Sequence, residues 1–314
     1  MTQNPNNPQN QNQDDDKNKR YESEWSFSFE KLGQNISEFF NSLGQGSSES
    51  VKTGQFSELV AGATSARVRI EPSIGKTTIT ALEASENLIE ADVTYIGEIK
   101  FVTGGEAGGE KSVALGQAAG VADWVRGAVG WIGSNQQLKW DVALSPQIPM
   151  LLDIHSGAGQ NQFDLSKLQL TSLSVVGGAG ETNLTMPGNR QYAVQINTGV
   201  GRASVNIQEN ATVDLTMRIG TGEVNMAIGN NASINARLTG GIGVTNVIIP
   251  SDAAVRVEAN AGIGSINVNS RIPRLQTTGE SWSRGGVWQT ADYETAERKI
   301  FLHLEGGVGE FNVR

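Results

Sequence analysis

From about residue 51 onward the apolar residues of this chain alternate with polar ones. The segments "ARVRIEPSIGKTTITAL", "IEADVTYIGEIKFV", "SVALGQ" and "LKWDVALSPQIPMLLDIHSG" all carry this period of two, which predicts strands with one buried face. Between residues 177 and 259 the alternation becomes repetitive. Thr182/Leu184/Met186 match Ala203/Val205/Ile207, Val224/Met226/Ile228 and Thr245/Val247/Ile249. A second apolar set follows each: Tyr192/Val194/Ile196, Val213/Leu215/Met217, Ile234/Ala236/Leu238 and Val255/Val257/Ala259. Between the two sets lie "PGN", "QEN", "GNN" and "PSD", with Asn189, Asn210, Asn231 and Asp252 at equivalent places. Asn and Asp suit a turn because they tolerate left-handed backbone angles.

Glycine marks the other end of each unit. G-x-G begins at Gly157, Gly178, Gly199, Gly220, Gly241 and Gly262, every step being 21 residues. A further copy, "GVGEFNV", begins at Gly307, and weaker forms surround Gly75 and Gly97. Fixed self-similarity of this kind is the signature of a repeat architecture. Two to three short strands and two corners per unit predict one rung of a right-handed parallel β-solenoid. Each rung buries its apolar face only against its neighbours, stacked about 4.8 Å apart. Asn183, Asn225, Asn246, Asn267 and Asn312 share the sixth place of the unit, with Gln162 and Ser204 in the other copies. Stacked amides there can bond along the axis as a ladder. The regular rungs are expected over 157–270 within an all-β domain of 55–314. An insertion and end cap over 271–314 should cover the exposed edge.

Residues 1–22 are Asn-, Gln-, Pro- and Asp-rich and read as a disordered tail, unable to bury enough apolar surface to order themselves. Next, Trp25, Phe29, Leu32, Ile36, Phe39 and Leu43 step by three and four, with Phe27 and Phe40 widening the stripe. That spacing predicts a short amphipathic helix over 23–44. Residues 45–54, with "GQGSSES", read as a linker. Three roles are open to the helix: packing on its own domain, docking to a protein groove, or lying on a membrane surface. Outside the repeat register, its apolar stripe needs cover. The partner-binding candidates are therefore Trp25, Phe29, Leu32, Ile36, Phe39 and Phe40.

Composition sharpens this picture mainly by exclusion. The chain has 314 residues, 38 of them Gly, with no Cys and a formal net charge of −9. Lack of Cys removes disulfides, thiolate metal sites and Cys nucleophiles. The acidic balance argues against nucleic acid, and no Arg column forms across the units. G-x-G repeated in register, without a third glycine before a helix, is not a nucleotide loop. His155 and His303 lie far apart in alternating segments and read as solvated or locally bonded; no catalytic, cofactor or metal residue is assigned. Trp124, Trp131, Trp140, Trp282 and Trp288 stand outside the regular units and suit plugs for the ends of the stack. The stretch 112–134 carries Asp123 and Arg126 centrally and does not read as a span. The first twenty residues lack the apolar core of a secretory signal. A cytoplasmic or membrane-peripheral protein is expected.

The segment from "LKWDVALSPQIPMLLDIHSG" through "GAGQNQFDLSKLQLTSLSVVGGAGETNLTMP" resembles the toast-rack domain of bacterial cell-wall-active antibiotic response proteins. The marks are Trp140, Val142 and Leu144, the "IP" ahead of an apolar strand, "GAG" with Asp164–Ser166, the second "GGAG" and the closing "GGVGEFNV". The resemblance implies a non-enzymatic protein without cofactors, related to Lia-type envelope-stress proteins and to adhesin-like proteins. It implies an interaction module of a cell-envelope stress response, binding a protein partner or the membrane surface. The alternative is a surface adhesin-like or self-assembling scaffold, which could form a homo-oligomer.

Overall fold

The computed structural model describes residues 51–106, 108–117, 138–278 and 284–314. These form strands and turns, with no helix among the described residues. The strands are β1 (Lys52–Leu59), β2 (Ser65–Glu71), β3 (Ile74–Ala81), β4 (Asn87–Tyr95), β5 (Ile99–Gly105), β6 (Glu110–Gln117), β7 (Lys139–Leu144) and β8 (Met150–Asp164). There follow β9 (Leu170–Met186), β10 (Gln191–Ile207), β11 (Thr212–Ile228), β12 (Ser233–Ile248), β13 (Ala254–Val268), β14 (Arg274–Thr278), β15 (Arg284–Gln289) and β16 (Lys299–Val313). All sixteen belong to one hydrogen-bonded sheet. The expected helix over 23–44 and the tail before it lie outside the described residues, as does most of 112–134.

Strands β8 to β12 pair in parallel in succession, and from β9 to β12 each residue stands opposite its equivalent 21 positions on: Tyr192 on Val213, Leu215 on Ala236. The unit differs from the expected set of short strands. It is one strand of 15–17 residues, bent in the middle. The bend is visible in the burial parity. In β9, Leu173 and Val175 are buried before the glycines, and Leu184 and Met186 after them. A straight strand would keep buried residues on one parity. The corner shifts the parity, so both halves face a common interior.

Glycine makes that corner possible without interrupting the hydrogen-bond ladder. Gly201 and Gly222 adopt φ of 139° and 147°, a region that side chains rarely enter. A Cβ on Gly222 would stand 1.8 Å from the carbonyl oxygen of Gly201 beneath it. Successive rungs therefore bend identically and keep pairing through the corner. The opposite corner uses asparagine: Asn189, Asn210 and Asn231 have φ of 54°, 58° and 55°. Asp252, expected to match them, does not share the positive φ.

The interior is a set of aliphatic columns. One runs Ile79–Phe163–Leu184–Val205–Met226–Val247–Val313–Val268 in sheet order, buried until its last member. Each buried aliphatic side chain contributes about 1.5–3 kcal/mol against exposure.

Stack order departs from chain order at both ends. β16, carrying the copy at Gly307, lies between β12 and β13 and pairs in parallel with each. Among the described residues of the tail expected to cover the end, β14 and β15 do so, as antiparallel strands on the first half of β13. At the other end β8 is followed by β2 and β3, which pair with its two halves; Gly75 stands on Gly159. β6 and β7 then lie outside β2 and β3, followed by antiparallel β5 and β4, with β1 outermost on β4. β1 starts at Lys52, so residues 52–54, taken for the end of the linker, are in the sheet because they pair with 93–95 of β4. Trp140 is buried in β7 and Trp288 in β15, both in these end layers.

Two glycine substitutions test the corner. Gly222→Ala should lower unfolding free energy by about 3 kcal/mol or more, through positive φ and the clash with Gly201. Gly240→Ala, where an added Cβ meets nothing within 4 Å, should stay within about 0.5 kcal/mol of the parent. Equal midpoints in urea for the two variants would contradict the stacked-corner account.

Candidate interaction surface

The outward residues of the bent strands form two faces and one ridge. On the face after the glycines, the expected amide ladder is present over four consecutive rungs. Asn246 donates to Asn225 Oδ1, Asn312 to Asn246 and Asn267 to Asn312, each through Nδ2 at 2.9 Å. All donors point the same way along the axis. The ladder crosses the place where β16 enters the stack, so the inserted strand is in register with the rest. It stops at Ser204, whose side chain is too short to bridge Asn183 and Asn225. Those two amides instead donate to Glu181 and Glu223 on their own strands, at 3.2 and 2.9 Å. Hydrogen bonds from Asn225 and Arg202 hold the Glu223 carboxyl below its usual value.

The face before the glycines carries both histidines. His155 Nε2 lies 2.9 Å from Asp153 Oδ1. Partial burial pushes the Asp153 carboxyl up, but His155, Ser174 and Arg69 together outweigh that and hold it below its usual value. His303 lies 2.8 Å from Glu305 and 3.7 Å from Glu258 on the neighbouring strand. The hydrogen bond from His303 holds Glu305 below the usual carboxylate range. Both histidines are thus locally bonded, as their alternating positions imply. Among the described residues no group of three or more His, Asp or Glu side chains is arranged to hold a metal ion.

The ridge was not foreseen. The middle residues of G-x-G point out from the corner, and Val200, Ile242, Val308 and Ile263 are exposed there, Ile263 by 70%. In stack order the last three are consecutive. The signal was present in the sequence, because these positions hold Val and Ile in four copies. Alternation assigned them no face, since corner residues belong to neither strand half.

The helix candidates Trp25, Phe29, Leu32, Ile36, Phe39 and Phe40 lie outside the described residues. No helix among the described residues is long and apolar enough to cross a membrane.

The family described as the N-terminal domain of toast_rack, DUF2154, matches residues 41–207. The chain belongs to the toast-rack family. The matched region takes in every strand from β1 to β10, hence the N-terminal layers and the first bent rungs. A crystal structure of a proposed cell adhesion protein from Clostridium sporogenes is similar over 84% of this chain and 99% of that one. It has 20% sequence identity and a TM-score of 0.47. No curated protein matches the chain.

Two measurements probe this toast-rack surface. Asn246→Ala removes two ladder bonds and should cost about 1–2 kcal/mol, whereas Ser204→Asn can join Asn183 to Asn225 and should add about 0.5 kcal/mol. Shifts of the same sign in the denaturation midpoint would break the ladder argument. For Asp153, a folded-state pKa below the unfolded one gives stability that is present above the unfolded value of about 3.9. That stability is lost as pH falls through the lower, folded value. Asp153→Asn should therefore flatten the fall in melting temperature below about pH 4. A parent-like acid profile in that variant would show that Asp153 does not contribute.

Proposed function

We propose that this chain is a non-enzymatic interaction module of a bacterial cell-envelope stress response. The observation that carries the reading is membership of the toast-rack family, joined to the resemblance of its motifs to cell-wall-active antibiotic response proteins. In this proposal the stack is a right-handed parallel solenoid with 21-residue rungs, and it serves as a rigid mount. The amphipathic segment 23–44 is the recruiting element, working in the cytoplasm or at the membrane periphery. Its apolar positions Trp25, Phe29, Leu32, Ile36, Phe39 and Phe40 would enter a groove on a protein partner, or, as the lesser option, a membrane surface. Burying four such anchors supplies roughly 1.5–3 kcal/mol each before the costs of association.

A surface adhesin-like scaffold is the second reading, and the exposed aliphatic ridge of Val200, Ile242, Val308 and Ile263 favours it. Exposed apolar patches of this kind serve as contact surfaces. Fractionation separates the two. Recovery mainly outside the cell, with unchanged transcription under wall-active antibiotics, would support the scaffold.

The recruiting role has a direct test. Replacing Phe29, Ile36 and Phe39 by Ser should abolish capture of a partner, or binding to vesicles, and leave the melting temperature of the β-domain unchanged. A fall of many degrees would instead make the segment an end cap of its own domain.

A further inference from the structure

We propose that two copies of this chain join head to head through β1, as an antiparallel strand pair with its two-fold axis at Gln55. Among the described residues β1 pairs on one side only, with β4, and is the outermost strand of the sheet. Eight residues long, it contains no proline, and its only register irregularity falls at the last step, Glu58/Leu59. Its central residues, Thr53 to Ser57, carry no charge. Such an edge is a template for another strand.

What fits it is a second β1. Directly opposite residues in an antiparallel pair must share a face, so the sum of their numbers is even. Centring the pair on Gln55 sets Lys52 opposite Glu58 of the other copy, twice over. It sets Thr53 opposite Ser57, and Gly54 opposite Phe56. A parallel pair in register would instead stack Lys on Lys and Glu on Glu. Opposite charges directly across a strand pair stabilise it and like charges weaken it. Glu58 also pairs with Lys111 of its own chain, and Lys52 Nζ donates to the Gly97 carbonyl. The two-fold would set Glu58 between two lysines.

The shape of this end permits the approach. Outside β8, the sheet half that contains β1 has four strands, β3, β7, β4 and β1, whereas the other half has three, β2, β6 and β5. β1 therefore projects by one strand, with Phe56 turned onto Phe101 of β5 at 5.4 Å between ring centroids. Two projecting edges can meet without the other halves colliding. The far end differs. There β14 and β15 extend only the first half of β13, so the bare second half is recessed by two strands. β14 is five residues long, follows Pro273 and has a register shift between Arg274 and Gln276, features that blunt an edge. One open end and one blunted end give a closed dimer rather than a filament.

The test is mass and register in solution, on the full chain. Light scattering should give twice the chain mass, and Lys52→Glu, which sets like charges opposite each other, should shift the midpoint of dissociation to at least tenfold higher concentration. The chain has no Cys, so a single introduced thiol reports the register. Gln55→Cys should form a disulfide-linked dimer on mild oxidation, because directly paired Cα atoms lie about 4.5–5.5 Å apart, within disulfide reach. Ser57→Cys and Gln276→Cys, on the same strand and at the far end, should not. A monomer across the accessible concentration range would overturn the proposal. So would a dimer indifferent to Lys52→Glu, or cross-linking at the control positions as efficient as at Gln55→Cys.

Discussion

The structure depends on one constraint: backbone must lie directly on backbone at the G-x-G corner. Gly159, Gly180, Gly201, Gly222, Gly243, Gly309 and Gly264 stack with φ between 128° and 156°. In each, an added Cβ would stand within 2.0 Å of a carbonyl oxygen on the rung beneath. Only because every rung bends at the same place can the sheet stay paired through the bend. The bend then brings the two halves of each strand around one interior, and the aliphatic columns follow from that. Glycine costs chain entropy wherever it is ordered, but here the corner admits nothing larger. The demand for glycine thus comes from the neighbouring rung as much as from the residue's own torsions.

Stacking by register also explains how the chain leaves sequence order without penalty. β16 arrives from a distant part of the chain yet presents Gly309 to Gly243 and Gly264, Asn312 to Asn246 and Asn267, and Val313 to Val247 and Val268. A rung is recognised by its pattern of glycine, amide and aliphatic residues, so any segment with that pattern can be inserted. β13 is displaced outward by the insertion, and its second half ends the stack, leaving Ile266 and Val268 half-exposed. The antiparallel strands at both ends are the counterpart of this rule, since they lack the G-x-G pattern and add no further bent rung.

Much of this could be read from the residues. Period-two alternation placed the interior columns, the glycine spacing placed one corner, and the recurrent Asn predicted a ladder that runs through Asn225, Asn246, Asn312 and Asn267. Other features were hidden for physical reasons. A glycine at positive φ that keeps its hydrogen bonds bends a strand without ending it, so one long bent strand looks like two short ones. Periodicity defines a unit but not its neighbours, so β16 was placed after β13 when it lies before it in the stack. Asp252 shares the turn position of Asn189 but follows Pro250, and the local chain takes another course. The linker boundary failed at Lys52 because pairing to β4, a long-range contact, decides what a short polar segment does.

What the architecture offers for interaction follows from the same repetition. Each outward place in the unit becomes a row, so one side-chain choice is displayed several times at about 4.8 Å spacing. Titratable groups along these rows engage their immediate neighbours: His155 with Asp153, His303 with Glu305 and Glu258, Glu223 with Arg202 and Asn225. The carboxyl pKa values of Asp153, Glu223 and Glu305 fall through hydrogen bonds that hold the charge in place, the reverse of the raised carboxyl that general acid chemistry at neutral pH requires. The outer surface is thus a lattice of mutually satisfied polar rows with an aliphatic ridge along the corner. The rows are interrupted where the repeat is broken, in the end layers made by the antiparallel strands.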